Sequence, residues 1–483
     1  MKIKGLRWWV LSLILLITVI NYLDRGTLNY MWLTNKKIEY KASQVAYDNI
    51  SGWYLLTNED GSQEIVPPDA VKVKDDGSVE YTQRGGIAYD LGLVDTTLGQ
   101  DETAKQAKNL LMKITICFMI AYGISQMFSG KMYDKIGTRK GFTVSVLLWG
   151  AADALTSLAR GLVSLSAFRI MLGLGEAGPW PGTVKSNAEW FPQNERAFAQ
   201  GLFNASASVG SVLAPIVISM LYLTWGWKAT FVAVGCLGIL WLAPWLIINK
   251  KGPKEHPWIT TQEQEYILSG QPEAKVVNEK GKSWKELLSN KKNYSVLLGR
   301  LFLDPIWWMF VTWLPIYLVE KFNLDIKQVA FSAWVPYAGA ALGSILGGWL
   351  SGRLIRSGKS VNFSRKTAIV IGACLMFPSI VGAIYAQTVL SAVVLMAVVL
   401  GGFQFTMTNI QTLPSDLHGG KSVGSLAGLG GAAAVLGTVS CMLFVPTITE
   451  GGEWSMFFIM LAILVPLSVL SIFVTIGKIE QIK

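Results

Sequence analysis

Long uninterrupted apolar stretches constrain this chain more than any other feature of its sequence. A helix needs about 20 predominantly apolar residues to cross the hydrocarbon layer of a bilayer, and roughly twelve such stretches can be counted here. Of the 483 residues 51% are apolar and only 15% charged, well short of the roughly 25% charged expected of a soluble domain. The pattern therefore predicts an all-α membrane protein rather than a soluble enzyme. The formal charge of +10 does not argue for nucleic acid, because the basic residues concentrate in short links between the apolar stretches, where they read as topology signals. Cys117, Cys236, Cys374 and Cys441 each lie inside an apolar segment, and His256 and His418 are the only histidines. No disulfide framework, metal site or cofactor is expected. A glycine-rich nucleotide loop is also missing from the sequence, so any uphill work must draw on a gradient.

The first predicted span covers about residues 8–30 behind Lys2, Lys4 and Arg7, and reads as a retained helix. Later spans are expected to begin near Leu110, Gly141, Leu162, Phe198, Ala229, Tyr294, Val329, Lys366, Val389, Val423 and Trp454. Basic links at Lys131, Lys135, Arg139 and Lys140, and at Arg353, Arg356, Lys359, Arg365 and Lys366, place those links and both termini in the cytoplasm. A polar stretch over 250–293 divides six spans from six, giving an N-terminal bundle over 1–249 and a C-terminal bundle over 294–483. A second polar stretch, 33–108, is richer in acids than bases and falls on the outer side. Alternating segments around Asn58-Glu59-Asp60-Gly61 and Asp75-Asp76-Gly77 predict two hairpins there, a small β-rich insert outside the membrane.

Between the second and third predicted spans the sequence reads Gly130-Lys-Met-Tyr-Asp134-Lys-Ile-Gly137-Thr-Arg139-Lys140. Glycines permit the tight turn, Asp134 is placed to accept hydrogen bonds from a neighbouring helix start, and the cations hold the link inside. The segment resembles the signature loop of the major facilitator superfamily. Gly348-Trp-Leu-Ser-Gly352-Arg353 echoes it without the acid, as expected of two six-helix repeats.

The first span holds Asn21-Tyr22-Leu23-Asp24-Arg25, an acid and a base that each cost roughly 2.5–3.5 kcal/mol in a lipid environment. They must therefore meet a wet cavity or each other. Asn21, Arg25 and Asn29 recur every fourth residue and form one polar stripe. In the fourth span, Arg169 and Glu176 stand two helical turns apart and point the same way. The apolar surroundings of Glu176 suit a reversible proton carrier.

Asn-Tyr-Leu-Asp-Arg in the first span, Gly-Glu-Ala in the fourth and Glu189-Trp-Phe-Pro-Gln-Asn-Glu195-Arg196-Ala before the fifth resemble the anion:cation symporter family. The opening Lys-Ile-Lys-Gly-Leu-Arg-Trp-Trp, Gly226-Trp227 and Phe302-Leu-Asp304-Pro305-Ile-Trp307-Trp308 are similar to its bacterial hexuronate transporters. The resemblance implies the major facilitator fold, a bacterial inner-membrane location and import of a sugar acid by proton symport through alternating access. It implies that Asp24 and Glu176 load protons, that Arg25 meets the substrate carboxylate, that Tyr22 and Tyr122 border the sugar, and that Arg169 partners Glu176 or Asp24. Gly130, Asp134, Gly137 and Arg139 would take part in conformational gating. Where related aldonate symporters carry a fifth-span glutamine, this chain offers Ala207 flanked by Asn204, Ser206 and Ser208, which weakens an aldonate assignment.

Further sugar contacts are expected from Asn204, from Trp308, Thr312 and Trp313, from Trp334, and from Gln404, Thr408 and Gln411 at helical spacing. Two other functions compete. Arg25 and Arg169 together would suit an organophosphate exchanger, although Asp24 and Glu176 disfavour a dianion, and a transporter-like nutrient sensor would signal through the insert or the linker. A monomer is expected. Which sugar acid is carried, whether sodium replaces the proton and what the insert does stay open at this point.

Overall fold

A computed structural model describes residues 2–48, 51–58, 60–74, 77–95, 100–271, 281–322, 326–449 and 454–482. Helix α1 (Leu6–Trp32) begins after Gly5 in a left-handed conformation and buries Leu6, Val10, Leu11, Ile14 and Ile17, a spacing that keeps one face inward. After a short α2 (Ile87–Asp90) come α3 (Gln100–Thr156), α4 (Leu162–Glu176), α5 (Pro179–Trp190) and α6 (Gln193–Ile248). Two small helices follow, α7 (Thr261–Ser269) and α8 (Trp284–Ser289). Then come α9 (Tyr294–Phe322), α10 (Ile326–Arg356), α11 (Val361–Ile384), α12 (Val389–Leu417), α13 (Val423–Met442), the short α14 (Val445–Ile448) and α15 (Ser455–Ile476).

Among the described residues, eight helices are long and apolar enough to cross a membrane by length and composition. Two of them, over Lys105–Thr156 and Gln193–Ile248, run to 52 and 56 residues, more than twice the requirement of about 20. Each is interrupted by a glycine that leaves helical geometry, Gly137 at φ 80° and ψ 167° in α3 and Gly226 at φ 74° and ψ 172° in α6. The outward faces carry exposed Leu16, Val163, Met220, Leu223, Leu240 and Leu390. So much exposed aliphatic surface calls for an apolar solvent.

Buried apolar side chains form two principal clusters. One draws its members from Leu6 to Ile267, the other from Val296 to Ile479. The polar stretch between them supplies α7 and α8, each opened by a side-chain cap, Thr260 to the Glu263 N–H and Ser283 to the Glu286 N–H. Helix α7 docks on the start of α1, where Glu263 accepts from the Leu6 N–H at 3.0 Å and from Arg7 Nη1 at 2.9 Å.

The insert holds two three-stranded antiparallel sheets. Strands β1 (Thr34–Tyr40), β5 (Val71–Val73) and β6 (Val79–Gly85) give the order β1-β6-β5, and β2 (Val45–Asp48), β3 (Trp53–Thr57) and β4 (Gln63–Val66) give β2-β3-β4. The two expected hairpins are β3–β4 and β5–β6. Glu59, Asp75 and Asp76 of the expected turns lie outside the described residues. The sequence reading did not foresee β1 and β2, which complete the sheets. Tyr40, Leu56, Val66, Ala70, Val79 and Tyr81 make the small core between them, and the Tyr81 hydroxyl donates to Glu64 at 3.0 Å across the two sheets.

Candidate functional site

Arg25 is the centre of the candidate site. From α1 it reaches α4, where Nε and Nη2 donate to the same oxygen of Glu176, Oε2, at 3.1 and 2.9 Å. This uses two of the five N–H groups of the guanidinium. The guanidinium carbon lies 5.2 Å from the ring centres of both Tyr22 and Tyr122, 5.8 Å from Phe118 and 6.0 Å from Trp308. Ring faces attract the cation, and a site walled by rings screens a bound anion less than water would.

This box opens on a cavity with about 540 Å³ of unfilled space, part of it continuous with solvent. Tyr22, Arg25, Tyr122 and Asn204 line one side, and Trp308, Gln404 and Gln411 line the other. Asn204 Nδ2 donates to Thr408 Oγ1 at 3.2 Å, and Gln200 Nε2 donates to Gln411 Oε1 at 2.9 Å, so α6 and α12 are tied together at the cavity wall. The amide oxygens of Gln126, Asn204 and Gln404 are buried and without a partner among the described residues. Buried acceptors of this kind are costly unless something donates to them, and ligand hydroxyls would.

The sequence reading missed several members of the wall. Arg300 and Asp304 on α9 form a bidentate pair at 3.1 and 3.2 Å, and both line the cavity together with Gln126 and Trp180. The spacing Arg300-x-x-x-Asp304 in a lipid-length apolar run was a signal available in the sequence. Other expected residues fall elsewhere. The Thr312 side chain is exposed and Trp334 is half-exposed, and neither lines the cavity. The polar stripe on α1 is broken, since Asn21 is buried, Arg25 reaches the cavity and Asn29 is exposed.

Asp24 also departs from the expectation that a charge in the first span meets a wet cavity or its neighbour Arg25. It is fully buried away from the cavity lining, and among the described residues no donor reaches either of its oxygens. The charged groups around it are Asp153, Glu176 and Arg169. Adjacent residues on a helix point about 100° apart, so Arg25 faces the cavity while Asp24 faces the interior of the helix packing. Arg169 is likewise buried behind the cavity, with its guanidinium carbon 5.3 Å from the Phe231 ring centre and with Nε and Nη2 unpartnered among the described residues. It does not stand beside Arg25 in the cavity wall, as a phosphate clamp would require.

The loop motif occupies the end of the molecule that bears the termini. Asp134 accepts from the backbone N–H groups of Gly424 at 3.0 Å and Ser425 at 2.6 Å, the first turn of α13, and from Lys185 Nζ at 3.2 Å. A carboxylate there meets the orphan N–H groups and the positive end of the helix. Gly130 packs backbone to backbone on the same turn of α13. Gly137 supplies the non-helical turn, and Arg139 donates to the Leu246 carbonyl at 3.1 Å. Nearby, Asp416 accepts from Arg365 Nε at 2.8 Å and from Gln193 at 3.2 Å, and Arg196 donates to the Ser415 carbonyl at 2.8 Å. These bonds close that end between residues on either side of the 250–293 stretch.

The family model described as Major Facilitator Superfamily matches residues 79–363. The chain is 30% identical over 388 residues to a hexuronate transporter of Escherichia coli strain K12, covering 77% of this chain and 89% of that one. A galacturonate transporter of Dickeya chrysanthemi is 34% identical over 273 residues, covering 56% and 79%. The fold is similar to the solved structure of the proton:xylose symporter of the same superfamily bound to 6-bromo-6-deoxy-D-glucose, with a TM-score of 0.65 at 11% identity over 99% of this chain and 97% of that one. Signature loop, apolar helices, fold and sequence relatives agree, and the chain belongs to the Major Facilitator Superfamily of transporters.

Proposed function

We propose that this protein imports a sugar acid of the hexuronate class together with protons, by alternating access across a bacterial inner membrane. The observation that carries the reading is Arg25, held in an aromatic box at the cavity wall with two of its five N–H donors on Glu176. An arginine fork binds a carboxylate bidentately, and the amide oxygens of Gln126, Asn204 and Gln404 suit the hydroxyls of a sugar. Relatives named for hexuronate, galacturonate and galactarate/D-glucarate transport support the substrate class.

In this reading Glu176 and Asp24 carry protons. When a carboxylate substrate reaches Arg25, Glu176 takes a proton and releases the guanidinium, which then pairs with the substrate instead. Neutralising the acid lowers the cost of moving the loaded site through the membrane interior. Twelve spans form two six-helix bundles over 1–249 and 294–483, joined by a cytoplasmic linker, with both termini inside and the insert outside. The breaks at Gly137 and Gly226 and the two hydrophobic clusters support this division. The bonds around Asp134 and Asp416 would then keep the cytoplasmic end shut. The protein acts as a monomer.

Purified protein in vesicles, offered labelled glucuronate, galacturonate and gluconate with and without an inward pH gradient, tests the proposal. Gradient-driven accumulation of the uronates is expected. Accumulation unaffected by the gradient, or normal coupling in Glu176→Gln, would overturn the proton role, and full affinity in Arg25→Ala would overturn the anion role.

A further inference from the structure

We propose that Asp153 is a third carboxyl of the coupling machinery and that it shares one retained proton with Asp24 beside Arg169. The proposal rests on the proton-symport reading above and adds a group to it. Asp153 sits on the second half of α3 in the apolar run Gly150-Ala-Ala-Asp153-Ala-Leu. It is fully buried, and among the described residues no donor reaches either of its oxygens, the carboxyl beside it being that of Asp24. A structural carboxylate inside a helix bundle is normally satisfied by donors, because leaving it bare is expensive.

The charges facing this pair can be set out by element. From α1 comes Asp24, from α3 Asp153, and from α4 Arg169 and Glu176, while Arg25 of α1 joins the cluster through its bonds to Glu176. Tyr22 and Tyr122 flank Arg25, and α6 contributes the Phe231 ring over Arg169. Three acids stand against two guanidiniums, a net charge of −1 if all are ionised. A buried cluster with uncompensated charge is strongly disfavoured, and a single added proton brings this one to neutrality. Glu176 is already bonded twice by Arg25, whereas among the described residues neither Asp24 nor Asp153 receives a donor. The proton therefore belongs to the Asp24–Asp153 pair, which stays neutralised while the empty carrier returns. Asp24 then holds a resident proton instead of a transported one, and the proton that accompanies the substrate is taken up at Glu176.

Loss of the retained proton at high pH would strand the empty carrier. Exchange of substrate across the membrane needs no empty return, so the ratio of net uptake to exchange isolates this step. In wild-type vesicles the ratio should fall as pH rises, to about one tenth of its plateau one unit above the midpoint. Asp153→Asn leaves two acids for two cations and should hold the ratio flat across the same range. An Asp153→Asn ratio that falls in parallel with wild type would overturn the proposal while leaving proton symport intact. A wild type with no proton-driven uptake at all would instead remove the symport reading on which it rests. Infrared difference spectra of the purified protein supply a second readout that does not require transport. A protonated-carboxyl band present in wild type near neutral pH should vanish both in Asp153→Asn and in Asp24→Asn, and its persistence in either variant would overturn the shared proton.

Discussion

Arg25 and Asp24 are consecutive in the chain, yet Arg25 bonds Glu176 at the cavity wall while Asp24 is sealed beside Asp153 and Arg169. Helical geometry alone separates them, and the separation assigns one side chain to the ligand and the other to charge balance. A single polar cluster in the first span therefore does two jobs on two faces.

Replacing Arg25 with lysine keeps the charge and removes the planar fork. An ammonium can still pair with Glu176, but it presents a compact point charge rather than two parallel donors, and it stacks less well between Tyr22 and Tyr122. Loss of one charge-assisted hydrogen bond is worth about 1.5–3 kcal/mol, or roughly 10- to 150-fold. Substrate titrations followed by tryptophan fluorescence, with Trp308 and Trp180 as reporters at the cavity wall, should show galacturonate affinity falling by that factor with the fold unchanged.

Two glycines of the signature loop predict opposite phenotypes. A methyl built on Gly130 would overlap the Gly424 carbonyl oxygen and stand 3.2 Å from the Gly428 Cα, so Gly130→Ala cannot close that end of the molecule. A methyl built on Gly137 meets nothing within 4 Å among the described residues, but the φ of 80° at this position is adopted almost only by glycine. Gly137→Ala should cost about 1–3 kcal/mol of stability without blocking closure. Thiol labelling of a cysteine in place of Val435, from the side that bears the termini, should speed up in Gly130→Ala and not in Gly137→Ala. Thermal melts should show the reverse ranking.

Much of the fold was legible because lipid solvation writes itself into sequence as runs of about 20 apolar residues. The loop motif was legible for a related reason, since glycines and an acid at a helix start have local causes. Asp134 does accept from a neighbouring helix start, but its partner lies 290 residues away on α13, which no local pattern could indicate. Asp153 stands alone among alanines, outside any recognised motif, and its one signal in the sequence is that of a lone acid in an apolar run. Thr312 shares the seventh predicted span with Trp308, but residue type and span do not give the direction a helix face takes, and its side chain is exposed. In the insert, Asp-Gly turns marked the hairpins, while β1 joins its sheet through long-range pairing, as in Ile38 opposite Tyr81, and β2 pairs with the next strand, β3, across a connection that holds no Asp-Gly dipeptide.

The insert should be an ordered subdomain whose middle strands are its most stable parts. Strand β6 is bonded by β1 and β5, and β3 by β2 and β4. Amide hydrogen exchange should be slowest over Val79–Gly85 and Trp53–Thr57 and fastest at the outer strands β4 and β5. Uniformly unprotected amides from 34 to 85 would show that the sheets do not persist in solution. Gly86 anchors the last strand to the end of α1, where an added Cβ would meet the Met31 and Trp32 carbonyl oxygens at 2.7 and 2.8 Å. Gly86→Ala should therefore loosen the insert as a whole, raising exchange in β6 before β3.

His418 gives the closed end a pH dependence that can be measured without substrate. It caps the end of α12 in the link to α13, where burial and, secondarily, the charge of Lys282 lower its pKa to about 4 from an ordinary 6.5. The neutral ring donates from Nε2 to Asn293 Oδ1 at 2.8 Å. Above pH 6.5 the ring is neutral folded or unfolded, and the shift has no effect on stability. Between pH 6.5 and 4 the unfolded chain binds a proton that the folded chain refuses, so stability falls with pH, and below 4 the loss levels off at about 3 kcal/mol. Histidine to glutamine at 418 keeps a donor and removes the titration. Melting temperatures in detergent should drop through this window in wild type and drop less in His418→Gln, and equal slopes would place the acid sensitivity in other groups.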